Sequence, residues 1–236
     1  MTRPFSIDIG WAALLDTLGV RPADLLRTAK LPEDLFTRPR PILEAPDYFR
    51  LWDALADAMS SDTPALTLGQ AVTPEVFSPP LFAAFCSPNM RVASTRLSHY
   101  KPLIGPCTLD ARMTSEGLEL TFDGAPGMTL PKDYLLTELV FLVHLPRIAT
   151  RDHIVPVSVQ MTDPPTHPDY EKFFGRRVMS GPANRVVFST TDADQPFLSA
   201  NTALFQAFEP QLQTRLDALT REASFSDRLR SVLADF

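Results

Sequence analysis

The sequence predicts an α+β class, a helix-rich domain packed around a small β-sheet. Two observations lead there. Apolar residues recur at three- and four-residue spacing at both ends of the chain, which is the period of a helix face. Between Leu109 and Phe122 they alternate with polar residues instead, which is the period of a half-buried strand.

The helical part begins with Ile9 to Leu18, where Trp11, Leu14, Leu15 and Leu18 share a face and Gly19 marks the stop. Pro22 to Ala29 is a second short helix. Asp47 to Met59 is a stronger one, with Tyr48, Leu51, Trp52, Leu55, Ala56 and Met59 in one stripe and Ser60, Ser61 and Asp62 closing it. Two cap-then-proline signals follow, Ser78 with Pro79 and Ser87 with Pro88. They introduce helices over Leu81 to Cys86 and Met90 to Leu103, the latter weakened at its end by Pro102.

Leu109, Ala111 and Met113, then Leu118, Leu120 and Phe122, form a hairpin across Ser115, Glu116 and Gly117. Val155 to Met161 and Arg185 to Ser189 add strands to the same sheet. Leu135 to Leu145, between the hairpin and Val155, is a helix apolar nearly all round, and Pro168 to Phe174, between the two strands, is a short one ended by Gly175. Leu198 to Leu219 carries Leu204, Phe205, Phe208, Leu212, Leu216 and Leu219 at helical spacing, with Pro210 as a kink. A last helix is expected from Ser226, which reads as the cap of Leu229, Val232 and Leu233.

Composition narrows the function classes. With 236 residues, 44% hydrophobic and 21% charged, the chain is an ordinary globular protein, read as one domain. No run approaches the roughly 18 apolar residues of a membrane-spanning helix. The first ten residues do not form a secretory signal, so a cytoplasmic location is expected. Cys86 and Cys107, the only two cysteines, read as buried reduced thiols. A formal net charge of −6 and a pI near 5.2 lack the basic footprint that phosphate contact requires.

Several segments together resemble the N-terminal effector domain of AraC-type transcriptional regulators. They are "LLDTLGVRPADLLRTAKLPEDLF", "PDYFRLWDALAD", "PALTLGQ" and "FSPPLFAAFCSPNMRVASTRLSHYKPLI". The most specific are "HPDYEKFFGRRVMSGPANRVVFS" and "PFLSANTAL", where Tyr170, Phe173, Phe174, Gly175, Asn184, Val187 and Phe188 stand in the family's pattern. The resemblance implies an effector-sensing domain over residues 1–222 and, over 223–236, the start of a linker to a C-terminal domain with two helix-turn-helix units. The chain is then either a piece of a longer regulator or a regulator without its DNA-binding half, and its end inside a helical pattern favours the former. A small-molecule effector is the expected partner, held in a pocket between sheet and helices, with DNA reached only through the C-terminal domain. A homodimer through the Leu198 to Leu219 stripe is one expectation and intramolecular packing of that stripe is the other.

No catalytic or cofactor motif competes with this. There is no Gly-x-Ser-x-Gly elbow, no Ser-x-x-Lys in a recognisable context, and no glycine-rich phosphate loop. His99, His144, His153 and His167 lack metal-ligand spacing, so neither metal nor cofactor is expected. Arg38, Pro39, Arg40 and Pro41 read as a proline-stiffened loop before a phosphate contact.

The sharpest candidate is Glu138, a carboxylate on the nearly all-apolar Leu135 to Leu145 helix. Burial demands a partner for it: an internal Arg or Lys, exposure at one edge, or an ammonium group on an effector, which points to an amine or amino acid. Tyr134, one turn earlier, shares its face, whereas His144 points elsewhere. His99 and Tyr100, at an apolar–polar boundary, are further ligand candidates. So are Phe77 and Phe85 as pocket walls, while Trp52 and Phe82 read as core.

Overall fold

The computed structural model describes residues 5–7, 10–38, 41–124 and 128–234, with the backbone alone for residues 5, 6 and 222–234. Among the described residues, five α-helices come before Met90 and the five-stranded sheet, and prolines and glycines punctuate them. They are α1 (Gly10–Thr17), α2 (Pro22–Thr28), α3 (Ala45–Ala58), α4 (Pro64–Ala71) and α5 (Pro79–Phe85). Strands β1 (Phe5–Ser6) and β2 (Ile42–Leu43) pair beside them. Helix α6 (Met90–Tyr100) runs into a single 3-10 turn, Lys101–Leu103, because Pro102 cannot continue the α-helical bonding.

The hairpin strands β3 (Cys107–Thr114) and β4 (Gly117–Gly124) lead into α7 (Lys132–Thr150). The chain continues through β5 (Ser158–Met161), α8 (Pro168–Phe174), β6 (Met179–Ser180), β7 (Asn184–Phe188), α9 (Thr190–Asp194) and α10 (Thr202–Ala234). The sheet order is β3-β4-β7-β5-β6, antiparallel except for the β5–β6 edge. Its register places Leu109 opposite Phe122 and Leu120 opposite Val186, so the predicted apolar alternation lines one face.

That face meets α7, which is buried on almost every side between the sheet, α3 and α4. Leu139, Val140, Val143 and Leu145 have no exposed surface. Gly69 lets α4 approach, since a Cβ there would lie 2.6 Å from Val140 Cγ1 and 2.9 Å from the Thr137 carbonyl oxygen. A second, smaller core joins Ala83 and Cys86 with Tyr100, Leu103, Phe205 and Leu212.

Several details differ from the sequence expectations. Helix α6 is capped by Asn89, whose side chain accepts from Val92 N at 3.0 Å; Ser87 instead donates to the Ala83 carbonyl and accepts from Arg96. Ser78 occupies the cap position of α5, but its hydroxyl makes no hydrogen bond there. The strand expected from Val155 starts only at Ser158, after Pro156. No new helix begins at Ser226, because α10 runs through it unbroken, and Pro210 sits inside that helix. Helix α4, α9 and the two-residue strands are not among the expected elements.

The stripe from Leu198 to Leu219 divides. Phe205 and Leu212 are intramolecular core, Phe208, Leu216 and Leu219 are half-buried against it, and Leu198 and Leu204 are exposed. Pro39 and Arg40 lie outside the described residues, while Arg38 pairs with Asp34 at 2.7 Å. No helix among the described residues is long and apolar enough to cross a membrane. Gly69→Ala is expected to destabilise the fold by about 1–3 kcal/mol through overpacking against α7, read as a lower urea midpoint with an unchanged slope.

Candidate functional site

The site forms where the end of α6 passes between the sheet and α7. Lys101 starts the turn forced by Pro102 and its side chain runs inward. Its Nζ donates to Glu138 Oε1 at 2.5 Å, with the two side chains 4% and 12% exposed. Glu138 therefore takes the internal-lysine alternative among those its burial allowed. The same ammonium lies 5.1 Å from the centre of the Phe122 ring on β4, which places the pair against the sheet face.

Two phenols complete the cluster. The Tyr134 hydroxyl shares a 3.1 Å hydrogen bond with Cys107 Sγ at the start of β3, and the Tyr48 hydroxyl donates to the Ile104 carbonyl at 3.3 Å. Both hydroxyls converge over Gly105, where a Cβ would lie 3.1 Å from the first and 3.2 Å from the second. Behind them is an aromatic wall. Tyr134 meets Tyr48, Phe49 and Trp52 edge to face, and Trp11 closes on Trp52 with ring centres 5.2 Å apart.

Burial sets the protonation states. It raises both phenols well above the ordinary tyrosine value, with the Glu138 charge adding to the effect. Burial likewise lifts the Cys107 thiol, outweighing the nearby Lys101 cation. On Lys101 itself burial pulls downward, but the charge and hydrogen bond of Glu138 oppose it, and the ammonium is held above the ordinary lysine value. A charged amine, neutral phenols and a neutral thiol suit recognition. They are the reverse of what an amine or thiolate nucleophile requires.

The six side chains singled out in the sequence fall into three places. Glu138 and Tyr134 belong to the cluster just described. His99 and Tyr100 lie against α10: His99 Nε2 is 3.1 Å from Gln213 Oε1, and Tyr100 is buried in the second core. Phe77 and Phe85 are half-buried and meet edge to face at 5.6 Å, with Phe77 also touching Phe141 of α7. Sequence reasoning missed Lys101 and Cys107. Nothing local turns inward a lysine that precedes a helix-ending proline. Among the described residues no group of three or more His, Cys, Asp or Glu is placed to hold a metal.

One connection leads out of the site. In the Lys101–Leu103 turn, Lys101 reaches into the main core while Leu103, two residues on, packs in the second core with Phe205 and Leu212 of α10. Arg96 adds to the α10 contact, its guanidinium lying 3.4 Å above the Phe205 ring and donating to the Ala83 carbonyl.

Known proteins give a consistent picture. Residues 19–197 match the model of the arabinose-binding domain of AraC transcription regulators, an N-terminal domain. The fold is similar to the crystal structure of the transcriptional regulator CdpR from Pseudomonas aeruginosa, at a TM-score of 0.57 and 16% identity. That match covers 90% of this chain and 66% of the other, so the chain spans just under two thirds of that structure. No curated protein sequence matches.

Removing one partner of the buried pair strands the other. Lys101→Met and Glu138→Gln are each expected to cost about 3–5 kcal/mol in urea unfolding. The double variant Lys101→Met/Glu138→Leu, with both charges replaced by apolar groups of similar size, is expected to lie within about 1 kcal/mol of the native protein.

Proposed function

The chain belongs to the AraC-type transcription regulators through their N-terminal arabinose-binding domain, and from that premise we propose that residues 1–222 sense a small organic effector. The effector sits between the sheet and α7, at the cluster of Lys101, Glu138, Tyr134 and Tyr48. One observation carries this: the cluster combines an aromatic wall with a few convergent polar groups, the usual make-up of a small-molecule site. Residues 223–236 lead toward a C-terminal DNA-binding domain. The net charge of −6 on the sensing part assigns DNA contact to that separate domain. The regulator works in the cytoplasm, and homodimerisation belongs to the same reading.

Binding biases the conformation of the domain, since a ligand shifts an equilibrium only by its differential affinity for the two states. The Lys101–Leu103 turn is the lever, because a shift of Lys101 moves Leu103 and with it the seat of α10. Phe77 with Phe85, and His99 with Tyr100, then belong to the surfaces around α5 and α10 that respond. Glu138 and Tyr134 remain the contacts with the effector, for which an amine or amino acid is the class proposed.

A thermal-shift screen of amines, amino acids, short acyl compounds and aromatic acids tests the sensing role. A ligand that binds only the folded state raises its melting temperature. At least one class is expected to do so without being consumed. Turnover of the hit would make the protein an enzyme, and no shift with any compound would leave a ligand-free dimerisation module.

A further inference from the structure

We infer that the effector is a zwitterion, an amino acid or betaine-type molecule carrying an apolar side chain, and that it binds by inserting between Lys101 and Glu138. This rests on the sensing role proposed above and goes further by naming the ligand's charge pattern. The starting point is charge balance. Lys101 Nζ and Glu138 Oε1 are 2.5 Å apart, with side chains 4% and 12% exposed, so neither charge has enough water to stand alone.

An amine that took Glu138 would strand the Lys101 ammonium in the core. An organic acid that took Lys101 would strand the Glu138 carboxylate. A neutral molecule can hydrogen-bond to either group but brings no charge to replace the partner it displaces. A zwitterion replaces both partners at once: its carboxylate meets Lys101, its ammonium meets Glu138, and every buried charge stays paired.

The surroundings fit the same class. Glu138 is the more exposed member of the pair, so its carboxylate is the easier of the two charges for a ligand to reach. Tyr134 stands one helical turn before Glu138, and its ring meets those of Tyr48, Phe49 and Trp52. Aromatic faces of this kind attract a cation and also accept an apolar side chain. Nothing covalent is asked of the site.

The test uses matched compounds on the full chain: L-phenylalanine, phenethylamine, 3-phenylpropionate and phenylethanol, and the parallel set built on L-leucine. Glycine betaine is included as a zwitterion without a side chain. At roughly a hundred-fold excess over Kd, a zwitterion is expected to raise Tm by roughly 5–10 °C, while the amine, acid and alcohol of the same side chain leave it in place. The Lys101→Met/Glu138→Leu double variant, expected to keep the fold and checked for it by urea unfolding, is expected to lose the response.

An amine or acid that shifts Tm as much as its zwitterion overturns the proposal, as does a zwitterion response that survives in the double variant. If a neutral compound from the broader screen is the one that binds, the sensing role stands and the zwitterion does not. If nothing binds from either set, both fall.

Discussion

Two opposite charges buried in one core constrain the rest of this structure. An ammonium and a carboxylate removed from water cost several kcal/mol each unless they meet in good geometry. The Lys101–Glu138 contact at 2.5 Å therefore fixes where the end of α6 lies relative to the middle of α7. The chain between α6 and β3 must then turn at Pro102 and pass Gly105, beneath two phenols whose hydroxyls would crowd a larger residue. The start of the hairpin, the aromatic wall on α3 and the apolar helix α7 all take their positions from that meeting point.

The same turn joins two packed regions of different size. Lys101 belongs to the core between sheet and α7, whereas Tyr100 and Leu103 belong to the smaller core beneath α10. Packed interiors yield in discrete steps instead of deforming smoothly. The three consecutive positions Lys101 to Leu103 thus connect the charged pair to the packing beneath α10. Helix α10 has 33 residues, and at about 1.5 Å per residue it carries a small rotation at its base over about 50 Å.

Much of the fold was legible in the sequence because its signals are local. The alternation at Leu109, Ala111, Leu118, Leu120 and Phe122 marked the hairpin, and Pro168 with Gly175 bracketed α8 to the residue. Glu138 stood out for the same reason, as one carboxylate among apolar neighbours. What stayed hidden depends on tertiary contact. Lys101 is 37 residues from Glu138 and precedes a proline, so its pattern is that of an exposed helix end. Asn89 and Ser87 are both plausible caps on chemistry alone, and only the Arg96 guanidinium, which claims the Ser87 hydroxyl, separates them. A helix pattern after Leu219 was visible, but not its continuity with the preceding helix through Ser226.

If the buried pair governs how α10 is seated, loss of Lys101 must loosen that helix ahead of the sheet. Native-state hydrogen exchange in the Lys101→Met variant tests it most directly, because amide protection is read segment by segment. Amides of residues 205–219 are expected to exchange roughly tenfold faster or more relative to those of the β3–β4 hairpin, which marks a local release of the helix. Equal acceleration in both segments, or no change in α10, would contradict it.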